Sequence, residues 1–165
     1  MNTFKTTNPN TWYARWCIKA HGNQRYGNNP YQYHLEAVAN LALRFGFDDE
    51  KVDMVCWAHD VLEDTNETRE TMLAAGFPLD VVEAVEALKD EPGANRKERK
   101  AKTLPKIARI YLAKIGKLCD RLGNALVGEK LNMYKGEHPQ FKELLYDPTE
   151  TALLPLWQAV NSILD

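Results

Sequence analysis

In the stretch Trp57-Ala58-His59-Asp60-Val61-Leu62-Glu63-Asp64-Thr65, an apolar run passes directly into four ionisable side chains, His59, Asp60, Glu63 and Asp64. Burying such groups beside apolar ones is costly unless a partner replaces the lost hydration. Four of them in six residues point to a cation as that partner. On a helix, residues three and four apart share a face, so Asp60 aligns with Glu63 and Asp64. His59 and Asp60 stand about 100° apart on that helix, and an ion between their two directions can take both. A helix end with solvated acids accounts for Glu63 and Asp64 but leaves His59-Asp60 unexplained.

Two further polar residues interrupt apolar patterns. His34 opens the face carrying Ala37, Val38, Leu41, Ala42 and Phe45; taken alone, it reads as a hydrogen-bonded core histidine. Asp120 stands within Ile107, Ile110, Ile115, Leu118, Cys119 and Leu122, with Asn124 four residues on and on the same face. An acid set in an apolar stripe needs a partner. Together, His34, His59, Asp60 and Asp120 form a set of two imidazoles and two carboxylates. Such a set suits manganese, iron or zinc and leaves coordination positions for water and substrate.

The elements that must bring these residues together are helices. Asn10-Thr11 can cap a helix from Trp12 to His21. A Gly/Asn/Pro-containing loop, residues 23–31, follows. Its Arg25, Tyr26 and Tyr31 suit either a solvated surface loop or a hold on a planar ligand, because guanidinium stacks on aromatic faces and bases. The spacing predicts a second helix from Tyr33 to Phe45 and a third from Asp49 to Leu62. Two short helices flank Gly76-Phe77-Pro78. The cluster Arg96-Lys97-Glu98-Arg99-Lys100-Ala101-Lys102 reads as a solvated helix face or as a phosphate clamp. A long helical pattern covers Leu104 to Leu126, and shorter pieces follow in residues 128–135, 141–145 and 149–163. His138 stands before Pro139 in a polar stretch and reads as structural or solvent-facing; His21 has no assigned role. No strand alternation, Gly-rich phosphate loop or repeat is visible. The expected fold is all-α, a single-domain bundle of six to eight helices over residues 1–165.

A chain of 165 residues can bury one core. Its net charge of −2 argues against whole-molecule attraction to nucleic acid or to anionic membrane. Apolar runs fall short of the ~20 residues of a membrane span, and residues 1–5 carry no signal core. A cytoplasmic location is the resulting expectation. Cys17, Cys56 and Cys119 sit in apolar helical patterns without a CxxC motif, which suits buried, reduced thiols.

Spaced as His…His-Asp…Asp on helices, the candidate set resembles that of the HD-domain metal-dependent phosphohydrolases. Residues 59–65 resemble the His-Asp-x-x-Glu-Asp-Thr box of the guanosine tetra/pentaphosphate (ppGpp/pppGpp) 3′-pyrophosphohydrolases, the hydrolase halves of RelA/SpoT enzymes and their small stand-alone counterparts. Lys117-Leu118-Cys119-Asp120-Arg121-Leu122-Gly123-Asn124 resembles that family's Lys-Leu-Ala-Asp-Arg-Leu-x-Asn. Ala20-His21-Gly22-Asn23-Gln24-Arg25 and Asn29-Pro30-Tyr31-x-x-His34 resemble its Ala-His-x-x-Gln-Arg…x-Pro-Tyr-x-x-His segment. The likeness covers about residues 12–126, with 127–165 as C-terminal helices.

The resemblance implies an HD-domain fold in which His34, His59, Asp60 and Asp120 hold one metal, usually Mn²⁺. It implies that Glu63 and Asp64 position and help deprotonate the attacking water. Arg25 would pack on the guanine beside Tyr31, and Asn124 would contact the ribose. Arg96, Lys97 and Arg99 would approach the pyrophosphate. Two positions depart from the pattern: Leu35 stands where Pro is common, and Gly123 where a larger residue, often His, is common. With no synthetase half following, the chain would act alone on a small nucleotide, releasing pyrophosphate and leaving GDP or GTP. The alternatives are a related hydrolase acting on another nucleotide, NADPH included, and a helical protein that binds a nucleotide without turning it over.

Overall fold

A computed structural model describes residues 5–165. The first four residues of the N-terminal segment that precedes the first helix lie outside the described residues. The rest of that segment is tied down: the Thr7 hydroxyl donates to Asp53 Oδ1 at 2.7 Å and accepts from Trp57 Nε1 at 2.8 Å, and the Thr7 N–H donates to Asn40 Oδ1 at 2.9 Å.

Helix α1 (Trp12–His21) starts where expected, its Ala14 N–H donating to the Thr11 hydroxyl. A two-pair antiparallel hairpin follows, β1 (Arg25–Tyr26) with β2 (Asn29–Pro30), in the segment expected to be loop. Two residues per strand are too few for the alternation that marks a strand in sequence. Then come α2 (Gln32–Arg44), α3 (Glu50–Ala58), α4 (Val61–Asp64), α5 (Arg69–Ala75) and α6 (Leu79–Leu88). The chain ends with α7 (Arg96–Ala108), α8 (Tyr111–Val127), α9 (Leu131–Leu145), a 3-10 turn at Thr151–Leu153, and α10 (Leu154–Leu164).

Helix α8 is the axis of the bundle. It packs on α2, α3, α6, α7 and α10 and is buried around most of its circumference. An ideal Cβ on Gly116 would lie 2.9 Å from Val55 Cγ1, so glycine is what allows α3 and α8 to approach. The core holds Leu35, Val55, Trp57, Leu118, Phe141 and Trp157, all essentially inaccessible. Each such side chain contributes roughly 1.5–3 kcal/mol of apolar burial. The three cysteines are buried free thiols. Among the described residues, no helix is long and apolar enough to cross a membrane.

Two continuities and one interruption expected from the sequence are corrected. The helix expected over 49–62 breaks at His59-Asp60 and gives α3 and α4, because the His59 ring donates to the Cys56 carbonyl and Asp60 turns the chain at φ −103°, ψ −1°. The pattern from Leu104 to Leu126 breaks at Arg109-Ile110, where Ile110 is extended and the two helices turn to different partners. Conversely, α9 runs unbroken through His138-Pro139. His138 is therefore not in a loop: it is buried on α9, with Nε2 2.9 Å from Asn161 Oδ1 on α10.

Candidate active site

Four side chains from three regions converge beside the middle of α8. His34 comes from the first turn of α2, His59 and Asp60 from the break between α3 and α4, and Asp120 from the middle of α8. The Nε2 atoms of His34 and His59 lie 3.1 Å apart. Asp120 Oδ1 is 3.2 Å from His34 Nε2 and 3.6 Å from His59 Nε2. Asp60 Oδ2 is 2.9 Å from His59 Nε2 and 3.7 Å from His34 Nε2. His34, His59 and Asp120 each offer a ligand atom within 4.8 Å of the other two, and Asp60 adjoins them.

The break between α3 and α4 makes this convergence possible. Neighbouring side chains on an unbroken helix diverge by about 100°. With α3 ending at Ala58, His59 and Asp60 turn to a common point instead. Asp60 becomes the first residue of the next turn, its carbonyl accepting from the Glu63 and Asp64 N–H groups at 3.2 and 2.9 Å.

Each ligand candidate is fixed from behind. His59 Nδ1 donates to the Cys56 carbonyl at 2.7 Å, which leaves Nε2 as the ring's free donor atom. The Tyr31 hydroxyl donates to Asp60 Oδ2. Asn124 donates to Asp120 Oδ1 at 2.6 Å, and Lys117 to Asp120 Oδ2 at 3.1 Å. Tyr26 stacks on the His34 ring at 4.5 Å and donates to Asn124 Oδ1 at 2.7 Å.

The electrostatics fit a cation. Burial opposes ionising Asp120, yet Lys117 and the two imidazoles hold it well below the carboxylate range. Burial also opposes ionising Asp60, yet His59 brings it down to about 2. Burial opposes charging His59, but the Asp60 and Asp120 carboxylates hold it well above the usual imidazole value. The pocket thus favours positive charge between two ionised acids, and a divalent ion competes with a proton for the same imidazole nitrogens. Two nitrogens, two oxygens and their outer hydrogen bonds form a donor set fit for one such metal.

His34, Asp60 and Asp120 line a cleft of about 450 Å³, and His59 lies against them. Arg25, Tyr31, Glu63, Asp64, Arg96 and Asn124 also line it. Glu63 Oε2 accepts from the Asp90 N–H at 3.1 Å. Asp64 Oδ2 accepts from Gln24 Nε2 at 2.9 Å, and Gln24 Oε1 lies 2.8 Å from His21 Nδ1. His21, buried, stacks on Tyr31 at 4.5 Å. Arg96 reaches the cleft but is paired with Glu137, which Arg121 also engages at 3.0 Å.

Two residues expected at the pyrophosphate, Lys97 and Arg99, do not line this cleft. Lys97 is exposed on the far side of α7, and Arg99 lies 3.9 Å from Asp90, outside the cleft lining. Lys100 lines the cleft instead, buried, with Nζ 2.6 and 2.9 Å from the two Asp90 oxygens. Burial and Lys117 lower its pKa against the pull of Asp90. Residues 96 and 100, four apart on α7, share a face. Tyr26, Lys117, Gln24 and His21 also belong to the site; the last three stand in the segments that carry the family resemblance, although the sequence reading gives them no role there.

No family model matches the sequence, and no curated protein matches it in sequence. The solved structure of a metazoan SpoT ortholog that hydrolyses ppGpp and plays a role in starvation responses superposes with a TM-score of 0.75 at 23% identity. The match covers 95% of this chain and 96% of that one. The chain therefore has the helical fold of that protein.

Proposed function

We propose that this chain is a metal-dependent hydrolase that removes the 3′-pyrophosphate of guanosine tetra- or pentaphosphate. The observation that carries the reading is the convergence of His34, His59, Asp60 and Asp120 on one point beside a cleft lined by acids and by lysine and arginine. The fold match to a ppGpp-hydrolysing metazoan protein supports the choice of substrate.

In this reading His34, His59, Asp60 and Asp120 hold one divalent ion, with Mn²⁺ the proposed metal. A bound ion of this kind lowers the pKa of its water and screens phosphate charge. Glu63 and Asp64, exposed on the short helix directly after the ligands, orient the attacking water and take its proton. The Asp90 N–H and the Gln24 amide fix those two carboxylates. Lys100, Lys117 and Arg96 neutralise the pyrophosphate, and Arg25, on the hairpin, lies against the base. Attack at the 3′ phosphorus breaks its bond to the ribose oxygen and yields GDP or GTP and pyrophosphate.

The test is product identification after incubating the protein with ppGpp and Mn²⁺. Pyrophosphate and GDP are expected. Release of phosphate alone, or a metal-loaded protein inert toward ppGpp, overturns the assignment and favours another nucleotide substrate or a nucleotide binder.

A further inference from the structure

We propose a second ligand site, for a planar aromatic anion, in the groove between α2 and α8 that adjoins the cleft at Tyr26, His34 and Val127. The groove encloses about 520 Å³ and is lined by Tyr26, Tyr33, Leu41, Arg44, Gly123 and Leu126 among others, with no carboxylate among its lining residues. It lies beyond the hydrolase reading and does not depend on it.

Glycine at 123 is the first observation. Glycine weakens a helix interior relative to alanine, so its presence calls for a reason. Gly116, two turns earlier on α8, has one in the approach of Val55. Gly123 does not: a Cβ there would meet Leu41 Cδ1 at 3.6 Å and Val38 Cγ2 at 3.7 Å, ordinary contact, and its φ is not positive. What the missing side chain leaves is the open groove.

The lining supplies the ligand's chemistry. Tyr33 is 53% exposed and Leu126 61% exposed, an unusual solvent cost for two large side chains facing one concavity. The Tyr26 and Tyr33 rings, 6.5 Å apart and tilted by 31°, present flat aromatic surface. Arg44, at the far end, makes no ion pair among the described residues. The Asn40 side-chain oxygen accepts from the Thr7 N–H, and its amide NH2 makes no hydrogen bond among the described residues. Aromatic walls, aliphatic floor and an unpaired guanidinium with donors beside it match a flat ring bearing a carboxylate, sulfonate or phosphate.

The test titrates 8-anilinonaphthalene-1-sulfonate against the folded protein by fluorescence. Saturable one-site binding is expected. Gly123→Leu, which fills the groove, and Arg44→Ala, which removes the cation at the surface, should each weaken it about tenfold. Asp60→Ala should leave it unchanged. Absence of saturable binding, wild-type affinity in Arg44→Ala, or loss in Asp60→Ala overturns the proposal, the last by locating the dye in the cleft. Circular dichroism checks that Gly123→Leu folds; if it does not, Arg44→Ala and Tyr33→Ala decide.

Discussion

Each side chain at the centre of this molecule is held by a second one. Removing a ligand should therefore differ from removing a residue that touches only water. His59→Ala and Asp60→Ala are expected to lose bound metal and more than about 100-fold in turnover together, measured by metal analysis and pyrophosphate release. Glu63→Ala should keep its metal and lose roughly 10²- to 10⁴-fold in kcat. Equal metal loss in Glu63→Ala would sink that division of roles. The chain His21–Gln24–Asp64 permits a finer test. Gln24 Nε2 faces a carboxylate, so Gln24 Oε1 faces His21, and Nδ1 must carry the proton. Gln24→Ala should lower kcat by about 10- to 100-fold with KM and metal content little changed. His21→Asn, whose amide nitrogen replaces Nδ1–H, should retain more activity than His21→Ala.

At the scale of elements, the two glycines of α8 make opposite predictions. Gly116→Ala forces a methyl to 2.9 Å from Val55 and should destabilise by about 1–3 kcal/mol. Gly123→Ala meets no such contact and should stabilise by roughly 0.5–1 kcal/mol. Urea titrations of the two variants separate the cases, and a stable Gly116→Ala would contradict the packing described for α3 and α8. Much of this arrangement was legible in sequence. Helices with a 3.6-residue period and clear stops, α1, α2, α5 and α6, stand where their apolar spacing, the Thr11 cap and Gly76 put them. The four ligand candidates stood out because histidine and aspartate are anomalous in apolar stripes. What stayed hidden was set by tertiary contact. The break after Ala58 carries no glycine or proline and depends on a ring-to-carbonyl bond. Pro139 signals an interruption, yet α9 tolerates it because its two halves pack on neighbouring helices. Lys100 joins the cleft only because α7 turns that face inward.

For the whole molecule, the metal is expected to contribute to stability as well as to chemistry, because the donor set exists only in the folded chain. At an ion concentration 100 times its Kd, linkage supplies about 2.7 kcal/mol. A chelator should therefore lower the melting temperature by roughly 5–10 °C in a domain of this size. No shift on chelation would count against the metal centre. A second global effect comes from His138. Burial lowers its pKa, with Asn161 and Asp165 opposing more weakly. The folded pKa lies below the unfolded one, so this contribution to stability is present above the ordinary histidine value and is lost as pH falls below about 6.5. The denaturation midpoint should drop between pH 7 and pH 5, and less steeply in His138→Gln.

The buried thiols offer a way to watch the centre itself. Cys56 precedes His59 by three residues, and Cys119 adjoins Asp120. Both sulfurs are sealed in the core, and the contact of Cys56 with Cys119, together with burial, pushes the Cys56 thiol far from its reactive anion. A disulfide reagent that captures either one in native buffer must first catch the packing around two ligand candidates, His59 and Asp120, ajar. The labelling half-time is thus a clock for spontaneous opening, and a tightly held cation should make it run slow.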